Sequence, residues 1–147
     1  MGEINSKSYN FKKIKKAIED ISESIIITDS EDCIVFANRK SGKTARTSKK
    51  ELIGINILRD TTELALKFIK PYYLEAKNNL KTVVAESIPV KIVNKNTAIN
   101  KNGIPVNINN RERIKNIKLI PFQKYKNFDG MTCIIKDMTY YNEFKNR

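Results

Sequence analysis

Ser24-Ile-Ile-Ile-Thr-Asp-Ser-Glu-Asp-Cys-Ile-Val-Phe-Ala-Asn38 decides the fold, in company with Asp137-Met-Thr139 near the other end of the chain. Three isoleucines run up to Thr28-Asp29, a polar turn Ser30-Glu31-Asp32 follows, and a second apolar run, Cys33 to Ala37, stops at Asn38. β-Branched and aromatic runs bounded by Asp and Ser turns predict a hairpin. Asn38 stands where a helix begins, and its side chain can cap the first backbone N–H groups of that helix.

Around this stretch, 147 residues make one domain, long enough to bury a core. Hydrophobic residues at 40% and charged residues at 30% fit an ordinary soluble globule. No apolar run approaches the roughly 20 residues that a membrane span needs, and the N-terminus lacks the apolar core of a signal peptide. The expectation is a cytoplasmic protein or a cytoplasmic piece of a longer one. Cys33 and Cys133 lie in apolar, strand-like runs and read as free buried thiols rather than a disulfide.

The chain has no histidine. That removes His-ligated haem, the usual zinc sites, Ser-His and Cys-His nucleophile pairs, and a phospho-accepting histidine. Ser41-Gly-Lys-Thr44 has the tail of a phosphate-binding loop but lacks its upstream glycine. No paired carboxylates stand in a context suited to acid–base work. The expectation is no catalytic residue, no metal site and no enzyme in this chain.

A net charge of +12 invites a nucleic-acid reading. Yet the lysines are dispersed, with local clusters at Lys12-Lys13, Lys15-Lys16 and between Arg39 and Lys50, and no recognition helix or aromatic-interleaved basic strand accompanies them. They read as solvated surface, and no nucleic-acid partner is expected.

Along the chain, residues 1–8 are polar and read as loose. Phe11, Ile14, Ile18 and Ile21 recur at spacings of three and four, predicting an amphipathic helix over residues 9–23. Its stripe can cover the domain's own sheet or pair with a second copy. Arg39 to Thr47 reads as a short helix and loop. Ser48 to Glu51 has the form of a capping box, and Gly54 stops the brief helix it opens. Asp60 is positioned to cap a helix with Leu64, Ala65, Phe68 and Ile69 on its apolar face. Pro71 interrupts or restarts that helix, which is expected to run on through Leu74, Leu80 and Val83-Val84.

The second half changes period. Val90 to Ile92 and Ala98-Ile99 precede Lys101-Asn-Gly103, a hairpin turn. Ile104, Val106 and Ile108 alternate with polar residues, Arg113 to Phe122 is a further strand, Lys126 to Gly130 a turn, and Met131 to Lys136 the last strand. Two strands, several helices and then more strands argue an α+β domain with an antiparallel sheet.

This order, with four short motifs, resembles the PAS domain, the sensory box of bacterial and archaeal signalling proteins. Asp29 is similar to the family's turn acid after the first strand, and Asn38 to the asparagine that ends the second. Lys50-Glu-Leu-Ile-Gly54 is similar to its short helix ending in Ile-Gly, and Asp137-Met-Thr139 to its closing Asp-Ile-Thr. The resemblance spans most of the chain. It implies a five-stranded antiparallel sheet with helices on one face, preceded by the flanking helix, the sensor occupying residues 24–139 and an output linker starting at 140–147. The Val90 to Phe122 stretch is longer than the family's middle strands, so an extra hairpin or enlarged loop is expected there. No axial histidine and no Asn-Cys-Arg-like motif is present, so neither haem nor cysteinyl-flavin chemistry is implied, and the cofactor is left open.

The resemblance implies a sensory and dimerisation module of a histidine kinase, a diguanylate cyclase or a transcriptional regulator, as in two-component systems. Such a module forms a homodimer, binds a small molecule and hands its signal to a downstream effector. Phe36, Phe68, Ile69, Tyr72 and Tyr73 are the pocket candidates, with core packing as the alternative. Tyr73 and Tyr72 stand out because a buried phenol needs a polar partner. Arg111 and Arg113 can meet an acidic ligand or simply solvate a strand edge. Asp29, Asn38, Asp137 and Thr139 are read as structural residues and signal exit. A ligand-free dimerisation module is the alternative function, and a basic nucleic-acid-binding domain the third.

Overall fold

In a computed structural model the described residues are 2–45, 47–60, 66–91, 98–99, 102, 105–106 and 112–139. The chain opens with helix α1 (Gly2–Glu19), then strands β1 (Ser24–Thr28) and β2 (Ile34–Ala37), and short helices α2 (Arg39–Ala45) and α3 (Lys49–Leu52). A 3-10 turn (Lys67–Ile69) leads into α4 (Lys70–Asn79). Strands β3 (Val83–Lys91), β4 (Ala98–Ile99), β5 (Pro105–Val106), β6 (Glu112–Lys124) and β7 (Asn127–Asp137) complete it. The main sheet is five-stranded and antiparallel in the order β2-β1-β7-β6-β3. The predicted α+β class and sheet are therefore present.

The sheet's two faces differ as the alternation requires. Ser24, Ile26 and Thr28 on β1, Ile117 and Leu119 on β6, and Met131, Cys133 and Ile135 on β7 are buried on one face. Leu52, Leu66, Ile69, Tyr73 and Ala76 from the helical segment close over that core. The extra hairpin expected between the middle strands exists: β4 pairs with β5 through Ala98↔Val106 and Ile99↔Pro105, and Asn102 lies in its turn. Ile104 and Ile108, given to the same strand pattern, fall outside the described residues, as do Leu64, Ala65, Arg111 and the output segment 140–147.

Several boundaries are corrected. The flanking helix runs Gly2–Glu19, not 9–23, so residues 2–8 are helical. They contain no helix breaker past Gly2, and polarity alone did not preclude a helix. Its C-terminal end comes earlier because the chain must become extended to enter β1. Helix α4 ends at Asn79, where Leu80 takes a left-handed conformation (φ 50°), and the β-branched Val83-Val84 start β3 instead of extending the helix. Pro71 sits in the first turn of α4, so it restarts the helix. The last turn is Tyr125-Lys126, both at positive φ, and Asn127 to Gly130 belongs to β7. Two residues at positive φ give the hairpin the twist of its strands. The glycine nearby serves a different purpose. At Gly130 (φ +128°) a Cβ would stand 2.3 Å from the Thr28 carbonyl oxygen, so only glycine lets β7 approach β1.

The capping box is realised in part. Ser48 Oγ accepts from Glu51 N at 3.2 Å, while the Glu51 carboxylate takes the Thr47 hydroxyl. Gly54, at φ +90°, ends this segment.

Candidate functional site: the inner sheet face and the chain exit

Tyr73 is fully buried in the core, at 0% exposure. From α4 its hydroxyl reaches β1 and the β1–β2 turn, where Thr28 and Asp32 are its partners. Its O–H donates to Asp32 Oδ1 at 2.8 Å, which leaves the Thr28 hydroxyl to donate to Tyr73 at 2.8 Å. Burial, reinforced by the hydrogen bond and charge of Asp32 and only opposed by Thr28, pushes the Tyr73 phenol far above its usual range, so it stays protonated and remains a donor. One turn along α4, Lys77 Nζ bonds Asp32 Oδ2 at 2.7 Å and lies 5.0 Å from the centroid of the Phe128 ring. Tyr73 meets Phe128 edge-on, with centroids 6.3 Å apart and planes at 73°. The network joins α4 to β1, to the β1–β2 turn and to β7.

Asp32 reaches this place because of the turn that Asp29 builds. Asp29 Oδ1 accepts from Glu31 N at 2.9 Å and Cys33 N at 3.0 Å, closing an Asx-turn that holds Asp32 at φ 68°. Asp is one of the few residue types that tolerate this conformation.

Asn38 is fully buried, and both ends of its amide are used. Oδ1 accepts from Ile25 N at 3.0 Å and Ser41 N at 3.1 Å, and Nδ2 donates to Ile18 O at 3.1 Å and Glu23 O at 2.8 Å. One side chain thus binds the end of α1, the start of β1 and the first turn of α2. The cap expected of Asn38 is present, and its ties to α1 are additional.

At the far end of the sheet Asp137 Oδ1 accepts from Thr139 N at 2.9 Å, and Thr139 Oγ1 accepts from Ile114 N at 2.8 Å. Asp137 Oδ2 lies 3.2 Å from Lys115 Nζ and 3.8 Å from Arg113. The Lys115 side chain is only 8% exposed, so this carboxylate is the partner of a buried cation. Burial alone raises the Asp137 carboxyl, but the hydrogen bonds from Thr139 and the charge of Lys115 outweigh it and hold the group below its ordinary value. The last turn of the domain is clasped onto β6 by these bonds.

No family model and no curated protein matches the sequence. Solved structures do. The PAS domain of Bordetella pertussis BvgS superimposes with a TM-score of 0.64 at 13% identity, over 97% of this chain and 95% of that one. The PAS domain of a Colwellia psychrerythraea protein gives 0.56 at 16% identity, over 88% and 98%. The fold is that of a PAS domain. A sensory box sensor histidine kinase from Vibrio cholerae is a further match, with a TM-score of 0.52 at 13% identity, over 92% and 97%.

Within this PAS fold the pocket candidates do not all meet. Tyr73 and Ile69 are fully buried in the core, and Phe68 and Tyr72 pack against it, partly exposed. Phe36 is corrected: it pairs with Ile27 on β1, and directly opposed residues share a face, so it lies on the outer face away from Tyr73. The β2 run gave no parity to decide this, because the register shifts between Ile27 and Thr28. Asp32, Lys77, Thr28 and Phe128 were not singled out from the sequence. Lys77 carried a signal, since it stands four residues after Tyr73 on one helix face. Lys115 carried one too, standing in the same alternation as Ile117 and Leu119.

Proposed function

We propose that this chain is the sensory module of a bacterial or archaeal signalling protein, taking a small molecule on the inner sheet face beneath α4. The observation that carries the reading is the Tyr73–Asp32–Lys77 network. Phenol and carboxylate are costly to bury, and an all-apolar contact would cover the same surface without them. Here they fasten the covering helix to the sheet through directional bonds, the kind of contact that a polar ligand can exchange. A ligand shifts the packing of α4 by no more than its differential affinity for the two arrangements. The Asp137–Thr139 clasp gives the result a way out, since the segment beyond Thr139 starts from a fixed direction.

The module catalyses nothing itself and works through an effector in its parent, of which a histidine kinase, as in the Vibrio cholerae neighbour, a diguanylate cyclase and a transcriptional regulator are the forms considered. The parent signals in the cytoplasm; among the described residues no helix is long and apolar enough to cross a membrane. Haem and cysteinyl flavin are not part of the proposal. There is no histidine, and burial pushes the Cys133 thiol up, away from the reactive thiolate.

A second reading, a ligand-free dimerisation module, is favoured by α1. Phe11 is 68% exposed and Ile14 59% exposed on that helix, so among the described residues this part of its apolar stripe is left open. Both readings include a homodimer. A native mass spectrum of the freshly purified protein separates them. A dimer carrying extra mass supports the sensor, and the mass narrows the ligand class. A clean dimer that no compound in a thermal-shift screen stabilises sinks the ligand and leaves the interaction module.

A further inference from the structure

Lys77 is held as a free amine would be held. Its Nζ lies between the Asp32 carboxylate, at 2.7 Å, and the Phe128 ring, 5.0 Å from the centroid. A carboxylate and an aromatic face both favour a cation, and the ring does so without demanding a hydrogen bond. The receiving groups are fixed. The Asp32 side chain is 11% exposed, its other oxygen takes the Tyr73 hydroxyl, and Tyr73 braces the Phe128 ring edge-on. The occupant is not fixed in the same way. Lys77 is 28% exposed, in the last turn of α4, and its flexible stem can carry the ammonium to water while the helix stays in place.

We propose that Asp32, Phe128 and Tyr73 form an ammonium site, filled by Lys77 in the resting state and taken by a small primary-amine ligand that displaces it. This rests on the sensory reading above and gives its ligand a chemical class. Lys77 is a tethered competitor, present at high effective concentration. An amine wins only by adding contacts beyond its ammonium, which selects for an apolar body able to lie against Phe128. Displacement is felt at the end of α4. Leu80, its C-cap, donates its backbone N–H to Ala76 O, and the Leu80 carbonyl accepts from Gln123 Nε2 on β6 at 3.1 Å.

Lys77→Met removes the competitor and keeps the stem. In that variant, n-propylammonium chloride at about 50 mM raises Tm by about 2 °C or more over matched potassium chloride and n-propanol. Adding Asp32→Asn abolishes the rise. Equal Tm in amine and potassium chloride overturns the proposal. Should Lys77→Met fail to fold, the unaltered chain is titrated with n-propylammonium and followed by NMR. Shifts of the Tyr73 and Phe128 ring signals are expected, and none up to about 200 mM overturns the proposal. A non-amine molecule found bound against Tyr73 overturns the amine assignment while the sensory reading stands.

Discussion

At the entry to the sheet, Asn38 ties α1, β1 and α2 together with a neutral amide whose partners are backbone groups and Ser41. At the exit, Asp137 ties β7 to β6 with a carboxylate that faces a buried lysine and an arginine. The two knots do similar mechanical work with different chemistry. An amide holds one arrangement at every ordinary pH and offers an ion or ligand little to exchange. A carboxylate among cations can be protonated, screened or competed for. The difference marks where this PAS fold is rigid and where it can respond: the neutral knot anchors, and the charged ones, at Asp137 and at Asp32, can move.

The largest effect that sharpens this contrast is Asn38→Ala. It strands buried N–H and C=O groups on three elements, and a loss of about 3 kcal/mol is expected in denaturant midpoints, the same at pH 5 and pH 8. A loss below about 1 kcal/mol would break the comparison at its anchored end. Next, Tyr73→Phe removes one hydroxyl and costs about 2 kcal/mol by the same assay, because Thr28 and Asp32 each lose a buried partner. A stabilised variant would show that the network is a cost carried for binding alone.

Asp137→Asn is expected to cost about 1–2 kcal/mol, less than its burial suggests because the carboxylate keeps some contact with water. The sign of its pH dependence follows from the lowered folded-state value. Its contribution is complete above the ordinary carboxyl range and is lost as pH falls below about 4. In the variant, that part of the acid limb flattens; an unchanged limb would assign acid lability elsewhere. The smallest effect on the monomer is Ile14→Glu on α1, within about 0.5 kcal/mol, since the side chain is exposed. Sedimentation should nonetheless show weaker self-association, and an unaltered dimer would place the contact away from α1.

The parts of the fold visible in the sequence were those written in local chemistry. The β1–β2 hairpin, the Asn38 cap, the Ser48 box and the Asn102 turn each follow from a few adjacent residues. Tyr125-Lys126 was missed as a turn because neither residue type prefers positive φ, and the glycine nearby, Gly130, serves a close strand approach instead. Phe36 was placed on the wrong face because a register shift in the hairpin leaves no trace in a four-residue strand. The polar network was half visible: Tyr73 announced itself by needing a partner. That the partner would be Asp32, in a turn 41 positions away, depends on the packing of α4 over the sheet.

Residue-resolved amide exchange, corrected for intrinsic rates and followed from about pH 7 to pH 3, tests the contrast between the knots most directly. Protection at Ile114 and Thr139, around Asp137, is expected to fall on acidification while protection at Ile25 and Ser41, around Asn38, is retained. Loss at Ile25 and Ser41 first, or at both ends together, would contradict it.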